Sequence, residues 1–175
     1  DADVLTGRTT DADGVDSLGL FLDHDAPITR SNIWLIGNSN SLFLRRQAAE
    51  RAGGFDETLG VGAETPFKSG EETDFLLRVL AAGAKGSYRR DIIVHHDQAP
   101  VAGGAGIARA QDYARGFGRV LRLHGFGAPY AAMRVARSSA RALLSAATGD
   151  MATAHYKALW ALGTLKGFCA PLPKA

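Results

Sequence analysis

The sequence predicts an α/β protein in which a few short strands, with a helix packed against them, are followed by a helical C-terminal extension. Short β-prone runs alternate with amphipathic stretches over residues 1–102. Three consecutive stretches of helical periodicity fill residues 103–175 after a glycine-rich link. A chain of 175 residues is long enough to bury a sizeable core. We therefore expect a sheet-containing domain over residues 1–102 and amphipathic helices over residues 103–175.

The first 60 residues hold the strands that are expected to begin the sheet. The predicted elements, in chain order, are strands at residues 4–6, 33–36 and 42–44 and a helix at residues 45–52. Gly7 is expected to end the first strand, and the charged stretch 9–31 is expected to form a long connecting loop. The pair Gly53-Gly54 is expected to end the helix.

A cluster of acidic side chains marks the centre of the chain. Glu71, Glu72 and Asp74 fall where a helix is expected to start, because the apolar residues that follow have helical spacing. Gly83 supplies the expected end of this helix. Such a helix would bury its apolar side and leave carboxylates at its N-terminal end for a polar site.

Three helices are expected in the C-terminal extension, at residues 107–124, 129–147 and 150–166. Asp150 is the expected N-cap of the third helix. The second helix is expected to be amphipathic, with apolar and basic residues on opposite sides. Its apolar side comprises Met133, Ala136, Ala140, Leu143 and Leu144, and its basic side comprises Arg134, Arg137 and Arg141.

The net charge of +2 is too small to indicate nucleic-acid binding, but its distribution is uneven. Residues 1–60 carry ten acidic and five basic side chains, whereas residues 101–175 carry two acidic and ten basic. A basic C-terminal part is typical of a surface for an anionic partner. Cys169 is the only cysteine, which excludes an internal disulfide and agrees with a reducing, cytoplasmic compartment.

The residues around Glu72 leave two interpretations open. Ser69 and Glu72 have the spacing of a capping box, in which the serine caps the helix and the glutamate bonds back to the serine backbone. Asp74 and Arg78, four residues apart, would then form a modest surface ion pair. Alternatively, one of the clustered carboxylates is a general base within hydrogen-bond reach of a substrate hydroxyl. The local sequence alone slightly favours the capping box.

A short buried strand at residues 91–94 is expected to deliver His95 and His96 to its end. Successive side chains of a strand point to opposite sides, so the two rings would not easily share one metal ion. This argues against a metal hydrolase built on the two histidines and Asp97. The local sequence favours solvated histidines, and it favours turn formation for the asparagines of the 37–41 segment.

Several short motifs occur in a defined order and spacing. They are Gly37 to Asn40 with Arg45-Arg46, Gly53-Gly54-Phe55-Asp56-Glu57, Leu59-Gly60-Val61-Gly62, Gly70-Glu71-Glu72-Thr73-Asp74, Arg78 and Val94-His95. Together they resemble the second half of a family 2 glycosyltransferase of the GT-A fold. The resemblance covers residues 3–125 well and the remaining helices loosely. It implies a partial GT-A-like mixed sheet with flanking helices.

In that family a Glu-Asp pair stands where this chain has Glu71-Glu72. Its second member deprotonates the acceptor hydroxyl for in-line attack on the anomeric carbon, with inversion. The resemblance therefore implies that Glu72, one methylene longer than aspartate, is the catalytic base, with Glu71 as the other catalytic member of the pair. It also implies a nucleotide-sugar donor, a polysaccharide or glycolipid acceptor and a divalent cation, Mn²⁺ or Mg²⁺. The implied substrate-binding residues are Asp74, Arg78, Asn38 and Asn40, and the implied metal-side residue is His95.

The first half of that family, a nucleotide-binding unit ending in an Asp-x-Asp metal motif, has no counterpart in these 175 residues. Asp1 and Asp3 spell the motif in the wrong place. The donor site and the main metal ligands are therefore expected in a missing N-terminal half, and this chain alone is expected to be inactive. An exposed sheet edge would then be covered by that half or by a second copy in a homo-oligomer.

A non-catalytic interaction or membrane-docking module that retains the fold is the alternative function. The basic helices would lie on an anionic membrane at its inner face, where each Arg or Lys contributes about 1 kcal/mol. Arg134, Arg137 and Arg141 are the arginines expected to do so. A solvated helix face, packed on the domain by its other side, is an interpretation of equal weight.

Overall fold

The computed structural model describes residues 2–17, 19–37, 39–96 and 104–172. These residues form four strands, which are β1 (Val4–Thr10), β2 (Ala26–Ile28), β3 (Phe43–Leu44) and β4 (Gly86–His95). Their helices are α1 (Ile33–Ile36), α2 (Arg46–Ala52), α3 (Glu71–Ala81), α4 (Gly104–Leu123), α5 (Ala128–Ala147) and α6 (Met151–Cys169). The predicted mixed α/β class is confirmed, whereas the GT-A fold stays a prediction.

Two compact units divide the described residues. The first draws on residues 1–56 and 72–98 and contains the sheet, and the second draws on residues 57–71 and 99–175 and contains α4 to α6. The sheet has the strand order β2-β4-β1-β3, with β1 and β4 parallel and both outer pairings antiparallel. The two edge strands have only three and two residues, and such short edges limit pairing with other chains.

Strand β1 continues through Gly7, where the sequence predicts its end. Thr6 pairs with Tyr88 and Arg8 with Ile93, so β4 carries additional residues opposite the glycine. The Ser41 hydroxyl receives the Gly7 N–H at 3.2 Å and donates to the Gly7 carbonyl at 2.7 Å. A Cβ at this position would overlap the β4 backbone. Glycine is needed here for the close approach of two backbones.

Helix α1 replaces the strand predicted at residues 33–36. Asn32, just before it, accepts the Thr29 N–H at 2.7 Å and donates to the Pro27 carbonyl at 2.9 Å. These local bonds between side chain and backbone shape a turn, and they outweigh the β-propensity of the apolar run that follows. The apolar run therefore enters the core as a single helical turn, with Ile33 and Ile36 buried.

Helix α3 confirms the helix predicted to begin near Glu71 and to end before Gly83, which has a φ of 87°. Its apolar side fills the core of the first unit with Phe75, Leu76, Leu77 and Val79. Helix α2 is likewise confirmed. The predicted strand at residues 91–94 is the end of the longer strand β4.

In the second unit, α6 packs against both α4 and α5. The α4–α6 contact is made through glycines: a Cβ built on Gly118, Gly163 or Gly167 would lie well inside 3.0 Å of a carbonyl oxygen of the facing helix. Two helices can approach this closely only where side chains are absent. We call this contact the glycine seam.

Helix α5 packs with the opposite face from the one that its hydrophobic pattern predicts. Ala131 and Ala142 are its buried residues, whereas Leu143 and Leu144 remain 73% and 67% exposed. Small side chains allow close approach to α6, so shape complementarity determines which face of α5 is buried. The predicted apolar side of this helix is its exposed side.

Asp150 caps α6 as predicted, accepting the Thr153 N–H at 3.0 Å. Hydrogen bonds from the Thr153 side chain and backbone lower the pKa of Asp150 below its ordinary value. The cap therefore contributes stability above about pH 4, the pKa of an unfolded aspartate, and loses it as the pH falls through the folded pKa. We expect Asp150→Ala to lower the melting temperature at pH 7 but much less at pH 2.5. Asp150→Asn keeps a capping oxygen, so circular dichroism melts should show a smaller loss at pH 7.

Candidate functional site

A cavity of about 400 Å³ opens in the first unit beside the start of α3. Its lining combines polar and apolar side chains. The lining residues are Gly19, Leu20, Phe21, Ile33, Trp34, Leu35, Gly37, Ser39, Asn40, Glu72 and Thr73. A concave site with an apolar wall and a few converging polar groups is the usual form of a small-molecule site.

Glu72 is the one carboxylate in this lining, and the structure fixes its direction. It lies in the first turn of α3, and its Oε1 accepts the Ser39 hydroxyl at 2.9 Å. Ser39 lies in a 3-10 turn, and Gly37 shapes the backbone before it. A Cβ on Gly37 would clash with the Ile33 carbonyl and press on Leu76, so the turn lies directly on α3. The hydroxyl therefore holds the carboxylate against the cavity wall.

The capping box predicted for Ser69 and Glu72 is replaced by other contacts. The Ser69 hydroxyl donates to the Tyr113 carbonyl of α4 at 2.7 Å, and Glu72 bonds to Ser39. Gly70, between them, has a φ of 95°, which turns the chain out of the geometry that a capping serine needs. The capping-box interpretation of Glu72 is therefore wrong.

Asp74 and Arg78 form the predicted i, i+4 ion pair, with 2.8 Å between Arg78 Nη2 and Asp74 Oδ2. The pair is not the surface pair that the sequence predicts, because Asp74 is 4% exposed. Arg78 also donates to the Ala52 carbonyl at 2.6 Å, which ties the end of α2 to α3. Neither residue lines the 400 Å³ cavity. Their contacts are those of a pair that holds the unit together.

Glu71 belongs to the second unit and lines a different cavity from that of Glu72. Its carboxyl lies against Gly60, where an added Cβ would approach the carboxyl carbon to 2.7 Å. Together with residues 57–65 it lines a second cavity of about 650 Å³. Consecutive helical residues point about 100° apart, which explains why the two glutamates line different cavities.

His95 ends β4 beside β1. Its Nδ1 lies 3.0 Å from the Thr10 hydroxyl and 3.4 Å from the Asp11 carbonyl oxygen. Across the described residues, no group of three or more His, Cys, Asp or Glu side chains is placed to hold a metal ion. The surroundings of His95 are thus those of a hydrogen-bonded strand end.

Of the predicted substrate-binding residues, Asn40 lines the cavity with Glu72, and Asn38 lies outside the described residues. Sequence reasoning missed Trp34 and Ser39. The signal for Ser39 was its place in the polar 37–41 segment, and the signal for Trp34 was an indole just before that segment. The predicted strand over residues 33–36 gave no reason to place the Trp34 indole beside the polar segment.

No protein-family model, curated protein or solved structure matches the chain. Within the part of the chain that the structure describes, no helix has both the length and the hydrophobicity to cross a bilayer.

Proposed function

We propose that this chain forms the acceptor-side part of an inverting glycosyltransferase that extends a polysaccharide or glycolipid. The supporting observation is the position of Glu72, whose carboxylate is held by Ser39 in the wall of a cavity that also presents Trp34. The order of motifs that resembles family 2 glycosyltransferases gives this carboxylate the role of base. The donor-binding residues would lie outside the described residues.

The mixed lining of the cavity suits a sugar. A pyranose ring has an apolar face of C–H groups and a rim of hydroxyls. The indole of Trp34 offers a flat apolar surface with a negative face for the C–H groups. Ser39, Asn40 and Thr73 offer donors and acceptors for the rim.

In the proposed reaction, an acceptor hydroxyl enters the cavity within hydrogen-bond reach of Glu72. The carboxylate takes the hydroxyl proton as the acceptor oxygen forms its bond to the anomeric carbon. The bond from that carbon to the nucleoside diphosphate breaks on the opposite side, so the configuration inverts. Ser39, by donating to Oε1 of Glu72, keeps the carboxylate oriented during the transfer.

The divalent cation implied by the resemblance does not fit the described residues. His95 has a hydroxyl and a carbonyl oxygen beside it, and no described acidic group joins it in a metal-binding cluster. Its ligands would come from outside these residues, and the proton transfer to Glu72 does not depend on them.

Acceptor binding gives a direct test, because the chain has two tryptophans and only Trp34 lines the cavity. In a Trp160→Phe variant, Trp34 is the sole indole. We expect oligosaccharides of the acceptor class to shift its emission to shorter wavelength, since a stacked sugar displaces water from the ring. The measurement is a fluorescence titration with a panel of neutral, aminated and acidic oligosaccharides.

The matched control is Trp34→Phe, which leaves Trp160 among Phe117 and Tyr156 in the second unit. Its emission should not respond to the same sugars. If no sugar class changes Trp34 emission, or if both indoles respond alike, the cavity is not an acceptor site.

A further inference from the structure

Helix α5 leaves a stripe of large apolar side chains in solvent. Met133, Leu143 and Leu144 are 37%, 73% and 67% exposed, and Met151 at the start of α6 is 65% exposed. Their exposure does not reflect poor packing of α5, because the opposite face of the helix is buried through Ala131 and Ala142. Exposed large apolar side chains collected on one helix face indicate a surface that contacts something else.

Basic side chains accompany this stripe. Arg137 and Arg141 are both exposed on α5, and the helix contains no acidic residue. Residues 128–172 carry five basic and one acidic side chain. Burial lowers the pKa of Lys157 on α6, and the positive charge of Arg141 lowers it further. The exposed side of α5 is therefore both apolar and electropositive.

Arg134, the third arginine of α5, is directed elsewhere. Its guanidinium lies 4.8 Å from the centre of the Phe117 ring of α4, and it donates to the Tyr130 hydroxyl at 3.1 Å. The sequence groups all three arginines on one basic side, whereas the structure separates Arg134 from the other two. We call the set Met133, Arg137, Arg141, Leu143 and Leu144 the α5 outer face.

We infer that the α5 outer face docks on an anionic bilayer surface, with its apolar side chains entering the headgroup boundary and its arginines contacting lipid phosphates. A helix with leucine and methionine beside arginine is the form that binds such an interface. The charges argue against the simplest alternative, a symmetric dimer through this face, because it would crowd four exposed arginines of like charge around one interface. The inference stands independently of the proposed transferase activity.

Vesicle co-sedimentation of the whole 175-residue chain tests the inference. We expect binding to vesicles of phosphatidylcholine with 30% phosphatidylglycerol, and at least tenfold weaker binding to phosphatidylcholine alone (roughly 1 kcal/mol per arginine near the surface). Arg137→Gln/Arg141→Gln should weaken anionic binding about 30-fold. Leu143→Gln/Leu144→Gln should weaken it about tenfold or more and leave its salt dependence in place.

Two exposed arginines of α2 provide the matched control, because Arg46→Gln/Arg51→Gln removes the same charge from another helix. This variant should bind anionic vesicles within threefold of the parent chain. If the two arginine double variants lose the same amount of vesicle affinity, net charge alone explains the loss, and the inference is overturned. Absence of vesicle binding by the parent chain, or a dimer in sedimentation velocity that the leucine variant abolishes, would also overturn it.

Discussion

Replacement of Glu72 by glutamine is expected to lower the turnover number about 10³-fold in a protein that also carries the donor-binding residues. Glutamine preserves the size of the side chain and the acceptor for the Ser39 hydroxyl, but it cannot take up the proton of an attacking hydroxyl. The loss should appear in kcat, with the Michaelis constant for the donor changed little. The measurement is release of nucleoside diphosphate in the presence of acceptor.

Glu72→Asp is the informative companion variant. Aspartate restores a carboxylate and is the residue usual at this position in the resembled family, so activity should return to within about tenfold of the parent. Glu50→Gln is the control, because Glu50 is an exposed carboxylate of α2 that does not line the cavity. This variant should leave the turnover number unchanged. If Glu71→Gln abolishes turnover while Glu72→Gln does not, the base lies at the second cavity, and the proposed site is wrong.

The position of Glu72 at the start of α3 can be predicted from the sequence, but the side chains that surround it in the structure cannot. The helix start was readable because acidic residues, apolar spacing and Gly83 all act within a dozen residues. Ser39 and Glu72 are 33 residues apart, and their hydrogen bond depends on how a turn lies on a helix. Nothing local in either segment encodes that distance. For the same reason the local pattern could not distinguish a base from a capping box.

Two errors in the fold predictions have different physical causes. The run at residues 33–36 was predicted as a strand from side-chain type, but Asn32 and its backbone partners form a turn that starts a helix. That change places Trp34 in a cavity wall. For α5, in contrast, the sequence correctly predicts a helix but assigns the wrong face of that helix to the core. Hydrophobicity alone assigns Leu143 and Leu144 to the core, whereas close packing on α6 selects alanines.

The glycine seam between α4 and α6 carries the largest stability effect that we expect in the second unit. Gly167→Ala would place a Cβ against the Arg115 carbonyl, and Gly163→Ala would place one against the Gln111 carbonyl and Ala114. Because the obstacles are backbone atoms, relief requires the helices to separate. We expect a loss of about 2 kcal/mol in unfolding free energy for Gly167→Ala, and more for the double variant.

The sign of this effect separates seam packing from helix propensity. In an exposed helix, Gly→Ala stabilises by about 1 kcal/mol, so a seam variant that gains stability would contradict the close packing. Gly104→Ala is the control, since nothing lies within 4 Å of its added Cβ, and its unfolding free energy should not fall. Trp160 supplies the readout in a Trp34→Phe background, because its ring lies 6.4 Å from Phe117 across the two helices. Urea unfolding followed by Trp160 emission therefore reports the stability of the unit that contains the α4–α6 contact, and a seam variant should shift that transition to lower urea.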